Sequence, residues 1–296
     1  MRATIQLCTY NRAHLLGRVL EACFEQTVRD YEVVLVDDGS KDATPLVIER
    51  AQATARVPFI VVSQANAGLA KARNSGLRRA TGERIIFIDD DILPMPNFVA
   101  EHLRSHASAP DAIVRGAVIN TESFDDLPPP IWTAANYSGN YFWTSNVSIA
   151  RKRLDAVGGF FDESFSEYGW EDIELGLRLR FAGTRSVFNR FAVAFHYKPR
   201  PTSADLAQML RQARAQARTA AQLQRLHPHW RVALATGDTP LQRGLARALR
   251  SLPRRSLERL VGDPEAPRRL GRLGFAAART LAAAAYYEEL EWSSAQ

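Results

Sequence analysis

The stretch Arg84-Ile85-Ile86-Phe87-Ile88-Asp89-Asp90-Asp91 constrains this chain more than any other. Four consecutive apolar residues read as a buried strand, and three carboxylates follow where that strand must emerge. Clustered negative charge at the end of a buried strand is costly unless a cation shares the site. The ions suited to carboxylate oxygens are Mg²⁺, Mn²⁺ and Ca²⁺. Open α/β sheets bind ligands outside the carboxyl ends of their strands. The stretch therefore points to a metal site at the mouth of a parallel sheet. The plainer alternative is an acidic turn capping a helix that begins near Pro96.

The residues before it repeat one unit. An apolar segment at 4–9 runs into Tyr10-Asn11-Arg12 and a helical stripe of Leu15, Leu16, Val19, Leu20 and Cys23. A second buried strand, 31–36, ends in Asp37-Asp38-Gly39-Ser40, and helical periodicity resumes over 43–55, with Pro45 tolerated in the first turn. A third strand covers 58–62, and Asn66 and Gly68 open a helix that ends at Gly82. Strands alternating with helices at this spacing predict βαβ units and a mostly parallel, Rossmann-like sheet flanked by helices. Two strands ending in paired aspartates suggest one crevice for cations and sugar hydroxyls. No Gly-x-Gly-x-x-Gly loop follows the first strand and no P-loop is present, which removes the usual dinucleotide and nucleoside-triphosphate fingerprints.

Here the residues resemble family 2 glycosyltransferases. The likeness lies in Thr9-Tyr10-Asn11-Arg12, Val36-Asp37-Asp38-Gly39-Ser40, Asn66-Ala67-Gly68 with Ala72-Arg73-Asn74-Ser75-Gly76, and Asp89-Asp90-Asp91, in that order. It departs at Cys8, where a proline is common, and at Arg12, where many members have Glu. The resemblance implies a GT-A fold over residues 1–200 that binds a nucleotide-sugar and inverts the anomeric centre. A second marker is Gly158-Gly159-Phe160-Phe161-Asp162-Glu163 followed by Tyr168-Gly169-Trp170-Glu171-Asp172. Such enzymes place a Glu-Asp pair at a helix start, and the helix dipole is expected to keep Asp172 ionised.

The resemblance also assigns roles. Asp91 would bind Mn²⁺ or Mg²⁺, with Asp89 serving the metal or the ribose hydroxyls, and His196 in the strand 193–197 would be a further ligand. Asp38 would accept a hydrogen bond from the base, with Tyr10 against its ring. Thr9, Asn66, Arg73 and Asp90 complete the nucleotide-sugar set. Asp172 would be the general base, and Glu171 would support the acceptor. Trp132, Tyr137, Tyr141, Phe142 and Trp143 are dense in aromatics, which suit sugar faces and a core equally; Trp143 and Trp170 are the acceptor candidates. UDP is the expected nucleotide, and the acceptor is a glycan, a lipid-linked sugar or a small molecule. No Gln-x-x-Arg-Trp segment of the processive synthases is present, so addition of a single sugar is expected.

Composition narrows the setting. Two cysteines, Cys8 and Cys23, give no disulfide framework and fit a reducing compartment. No leader pattern opens the chain and no apolar run reaches a spanning length, so a cytoplasmic location is expected, at the inner membrane face if lipid is engaged. Residues 201–296 carry 15 Arg and 8 acids, so all of the net charge of +6 belongs to this Arg/Ala-rich helical extension. Leu206, Met209, Leu210, Ala213, Ala217 and Ala220 share one helical face, and Arg211, Arg214, Arg218 and Arg225 another. Pro240, Pro253, Pro264 and Pro267 divide the remainder into short helical pieces. This extension suits a peripheral membrane contact or a dimer, and its lack of interleaved aromatics on a recognised binding fold argues against nucleic acid.

Three rival readings fit parts of the pattern. A sugar-nucleotide pyrophosphorylase needs a Gly-rich basic loop after the first strand, which residues 10–17 lack. A phosphatase built on Asp89-Asp90-Asp91 leaves Asp38 and Glu171-Asp172 unexplained. An inactive GT-A fold that binds glycans or acts as a scaffold has no reason to keep these carboxylates. The triplet Asn146-Val147-Ser148 matches a glycosylation acceptor, which means nothing without export.

Overall fold

A computed structural model describes residues 2–136 and 140–294. Tyr137, one of the aromatics above, lies outside the described residues. The chain divides into two compact units, one of Met1–Ser166 with Glu171–Pro199 and the other of Glu167–Trp170 with Arg200–Gln296.

The first unit is built on eight strands: β1 (Ala3–Thr9), β2 (Tyr31–Asp37), β3 (Phe59–Ser63), β4 (Arg84–Phe87), β5 (Ile92–Pro94), β6 (Ile113–Thr121), β7 (Val147–Ala150) and β8 (Ser186–Tyr197). They form one sheet in the order 3-2-1-4-7-6-8-5. Four of the seven pairings are parallel and three antiparallel, so the sheet is mixed, with its parallel run at β3-β2-β1-β4. Its helices are α1 (Ala13–Phe24), α2 (Thr44–Thr54), α3 (Leu69–Arg79), α4 (Phe98–Ser108), α5 (Arg151–Asp155) and α6 (Glu171–Phe181).

The apolar runs behave as strands buried on both faces. Along β4, Ile86 enters a core with Leu7, Leu16, Val33 and Phe98, while Ile85 and Phe87 enter a second core with Leu77, Phe142, Phe161 and Leu175. That split follows from the two-residue period of a strand. Phe142 and Phe161 meet the Phe87 ring edge-on at 5.7 and 5.6 Å. The strand order reverses between β1 and β4, and ligands of doubly wound sheets bind at such a point.

The sequence signals neither the three-residue β5 nor β7, and of β8 only the second half, 193–197. β7 is only four residues and coincides with the apparent glycosylation triplet, whose Asn146 is 3% exposed and therefore no acceptor. The first half of β8 is broken by Asn189 and Arg190, and there the register against β6 shifts between Gly116 and Ala117.

The second unit holds α7 (Leu206–Leu226), α8 (Trp230–Ala235), α9 (Pro240–Arg250), α10 (Arg254–Val261) and α11 (Arg272–Ser294). The expectation of short pieces fails at α11, which runs 23 residues because no proline follows Pro267. Ala217, Ala220 and Ala221 of α7 pack with Leu290, Tyr286 and Tyr287 of α11 and with Trp170. Small residues let these helices approach closely. Some of the arginines are neutralised: Arg218 of the stripe pairs with Glu167 and with Glu289 at 3.0 Å, and Arg250 of α9 pairs with Glu291 at 2.7 Å. No helix among the described residues is long and apolar enough to cross a membrane.

Candidate active site

The carboxyl ends of the parallel neighbours β2, β1 and β4 lie side by side and carry Asp38, Thr9 and Asp89. After β2, Asp37 turns back to accept from the Ser40 N–H at 3.0 Å, and Gly39 takes φ 81°. A Cβ at Gly39 would lie 2.7 Å from the Asn66 nitrogen, so only glycine lets the two loops approach. Asp38 is buried and accepts from Gln64 Nε2 at 2.7 Å and the Ala67 N–H at 2.9 Å on Oδ1, and from the Gly68 N–H at 3.0 Å on Oδ2. Tyr10 is exposed beside β1, and Asn66 is exposed on the facing loop.

Thr9 and Asp90 meet each other. The Thr9 hydroxyl donates to Asp90 Oδ2 at 2.7 Å, and Arg12 Nε stands 3.7 Å from Oδ1. Burial pushes the Asp90 carboxyl up to about 7, against the pull of Arg12 and the Thr9 bond. This carboxylate ties the acidic turn to β1.

Arg73, on α3, is the hub. Its guanidinium donates to Glu171, to Asp89 Oδ1 at 3.0 Å and to the Thr144 hydroxyl at 2.5 Å. The other Asp89 oxygen accepts from Ser145 Oγ at 2.6 Å. Burial alone would lower the Arg73 pKa, but Glu171, Asp89 and Asp172 outweigh it and hold the cation firmly. Asp172 lies one residue into α6, accepting from the Ile173 N–H at 2.7 Å and approached by the Thr144 N–H at 3.5 Å. Its carboxyl is raised to about 7 by burial and then by Glu171, with Arg73 opposing. The expected stabilisation of its ionised form by the helix start is thus outweighed: part of the side chain reaches solvent, but protein crowds the carboxylate. Thr144 and Ser145 were not anticipated, having no sequence signal beyond their position after the aromatic run.

Asp91 and His196 converge across the β5–β8 pairing, with His196 Nε2 3.7 Å from Asp91 Oδ2. The His196 Nδ1 is buried without a hydrogen-bond partner. Among the described residues no three His, Cys, Asp or Glu side chains gather closely enough to hold an ion by themselves. Both Asp89 oxygens are turned to Arg73 and Ser145, so the structure brings two of the three expected ligands together. Two ligands fit Mg²⁺ or Mn²⁺, which typically take one or two carboxylates and complete their shell with substrate phosphates and water.

The aromatics divide. Phe142 is core; Trp143 is half-buried, edge-on to His196 at 6.4 Å; Trp132 packs on Phe188 at 5.1 Å. Trp170 belongs to the second unit, takes φ 71° and donates its indole N–H to the Gln216 carbonyl at 2.9 Å.

A mixed sheet with a nucleotide-type switch point, an acidic turn at its mouth and a Glu-Asp helix start is the architecture of GT-A glycosyltransferases. A mannosyltransferase from Pyrobaculum calidifontis, solved with GDP-Man and Mn²⁺, superposes with a TM-score of 0.63 over 98% of this chain and 87% of its own, at 22% identity. The S. aureus TarS 1–349 structure in complex with UDP gives 0.56 over 100% and 92%, at 18% identity. The sequence profile described as Glycosyl transferase family 2 matches residues 4–161, and the chain belongs to that family. Validoxylamine A glucosyltransferase of Streptomyces hygroscopicus subsp. jinggangensis is 32% identical over 225 residues, covering 63% of this chain and 53% of that protein. Chondroitin synthase of Escherichia coli is 26% identical over 238 residues, 66% of this chain and 34% of its own. The chain spans about half the length of the first of these relatives and a third of the second.

Proposed function

We propose that the chain moves one sugar from a nucleoside-diphosphate sugar to an acceptor hydroxyl with inversion, Asp172 taking the acceptor proton. The observation that carries this reading is the Asp172 carboxyl, raised to about 7 beside the Arg73–Glu171–Asp89 group at the mouth of the sheet. A general base works best with a pKa near the working pH. Glu171 is committed to Arg73, which leaves Asp172 as the base and gives Glu171 the task of holding that cation. Arg73 in turn fixes Asp89, whose partly exposed carboxylate can accept from a ribose hydroxyl.

Asp91 and His196 would hold the Mn²⁺ or Mg²⁺ ion. Such an ion supplies Lewis-acid neutralisation of the departing diphosphate. A carboxylate has about four acceptor positions, and Asp38 spends three on the protein. The remaining one matches the single ring N–H of uracil better than the adjacent donors of guanine, which supports UDP as the nucleotide. Tyr10 and Asn66, exposed on the two loops next to Asp38, would border the base, and Trp143, next to His196, would serve the acceptor. A thermal-shift screen with UDP-glucose, UDP-galactose, UDP-GlcNAc and GDP-mannose in Mn²⁺ tests the reading. Stabilisation by UDP-sugars, turnover abolished in Asp172→Asn and a β-linked product from an α-linked donor are expected. Retention of configuration would refute single displacement.

The second unit is read as a packing element rather than a lipid anchor. Interfacial helices present Trp, Phe and Leu, whereas the buried face of α7 is mostly alanine and Arg218 is already paired. Sedimentation with anionic vesicles at low salt is expected to leave the protein in solution. Binding that falls steeply with salt would restore the membrane role, since exposed charges are screened within about 8 Å at physiological ionic strength.

A further inference from the structure

Thr144 and Ser145, which touch Arg73, Asp89 and Asp172, are the two central residues of a tight turn. The Asn146 N–H closes it on the Trp143 carbonyl at 3.2 Å. What holds this turn is the side chain of Asn146. Its amide nitrogen donates to the Ala117 carbonyl at 3.0 Å and the Ala192 carbonyl at 2.9 Å, plugging the irregularity between β6 and β8. Gly116 leaves room for the plug, because a Cβ there would land well inside contact distance of the amide.

The proton positions behind the plug follow by elimination. With its nitrogen committed as donor, Asn146 must accept on Oδ1, so His102 Nε2, 3.0 Å away, carries a proton. Burial holds the His102 pKa down at about 4, so the ring is neutral and its Nδ1 is bare. That Nδ1 accepts the Ser148 hydroxyl at 2.7 Å. The Ser148 oxygen then accepts from His106 Nε2 at 2.8 Å. The bonds run one way, from His106 through Ser148 and His102 to Asn146 and the two carbonyls. All four side chains are at most 3% exposed.

We infer that Asn146, with His102 and Ser148 behind it, is a positioning residue that sets where Thr144 and Ser145 meet Arg73, Asp89 and Asp172. The inference rests on the reading of Asp172 as base. Consecutive Cα atoms are about 3.8 Å apart, so displacement of the plug passes directly into the turn. None of the three touches the nucleotide loops at Asp38, and Asp89 keeps its bond to Arg73, so turnover is expected to fall further than donor affinity.

The test compares His102→Leu, Ser148→Ala and Gly116→Ala, which disturb the plug from opposite sides, with His102→Gln. A glutamine amide places a donor group and an acceptor group at its two tips, as the neutral imidazole does at its two nitrogens. Each folded variant is assayed with Mn²⁺ for release of the nucleoside diphosphate from the best donor of the four-sugar screen, for binding of that nucleoside diphosphate and for Tm. His102→Leu and Gly116→Ala are expected to lower kcat on the order of ten- to a hundredfold, with KM changed far less, and Ser148→Ala to fall between them and wild type. His102→Gln should recover most of the loss. Full kcat in folded His102→Leu and Ser148→Ala, or equal losses in the Leu and Gln variants, would overturn the positioning role. Asp172→Asn is the control: if it retains turnover the reading of the base fails, whereas an inactive Asp172→Asn beside fully active plug variants removes the positioning inference alone.

Discussion

Arg73 and Glu171 meet as a buried ion pair, the first from the middle of α3 and the second from the opening residue of α6. Their side chains are 5% and 6% exposed, so neither charge has water to fall back on. Removing one partner of a buried pair typically costs about 3–5 kcal/mol. Glu171→Gln should lie near the lower end, because Asp89 and Asp172 still face the guanidinium. Arg73→Met should cost more, since it leaves three acids together. Urea unfolding measures both, and a smaller loss for Arg73→Met would contradict the hub.

The same pair controls a titration. As the proposed base, Asp172 must be ionised to accept a proton, and its pKa is raised to about 7, first by burial. Below that pH the base is protonated, so kcat should fall about tenfold per pH unit on the acid side. Arg73 opposes the rise, so Arg73→Met should move the acid limb to higher pH in whatever activity remains. A wild-type profile flat from about pH 5 to about pH 8 would remove Asp172 from the chemistry.

Asp90 gives a stability signal of its own. Its pKa is raised from 3.8 to about 7 by burial, so the folded state holds a proton that the unfolded chain releases. That contribution is fully present below about pH 4 and lost as pH rises through about 7. The metal-free protein should therefore lose Tm between those limits, with Asp172 adding in the same direction. Asp90→Asn keeps an acceptor for the Thr9 hydroxyl and should flatten part of the slope. An unchanged slope would mean that the buried carboxyl is not its source.

Metal dependence can be read without turnover. Asp91→Ala and His196→Ala should each abolish Mn²⁺-dependent UDP binding while leaving the far-UV spectrum intact, since both residues lie at strand ends. EDTA should do the same to the unaltered protein. UDP binding that EDTA does not touch would place the nucleotide on the Asp38 side alone.

The parallel half of the sheet was legible chiefly because residues 33–36 and 85–88 are unbroken apolar runs with acids at their ends. The carboxylates were legible for the same reason, as charge where burial stops. How each would be partnered was not. Asp89 and Asp91 are two residues apart and look equivalent, yet Arg73 and Ser145 claim the first. Arg73 reaches it only because α3 and α6 pack on one face of the sheet. β7 escaped because four residues give too little periodicity, and Ser148 looked like part of a modification triplet. His102 and His106 carried no signal at all, their partners lying more than 40 residues ahead.

The sheet stops at β3, a half-buried Phe-Ile-Val-Val-Ser strand that pairs with β2 along one side only. Its other row of backbone groups is a template on which a second chain can add a strand, the usual beginning of edge-to-edge aggregation. The strand is only five residues long, which limits that template. Pro58, directly before it, turns its carbonyl to the Val33 N–H at 2.9 Å, so it belongs to the paired side and leaves the open row to the five residues themselves.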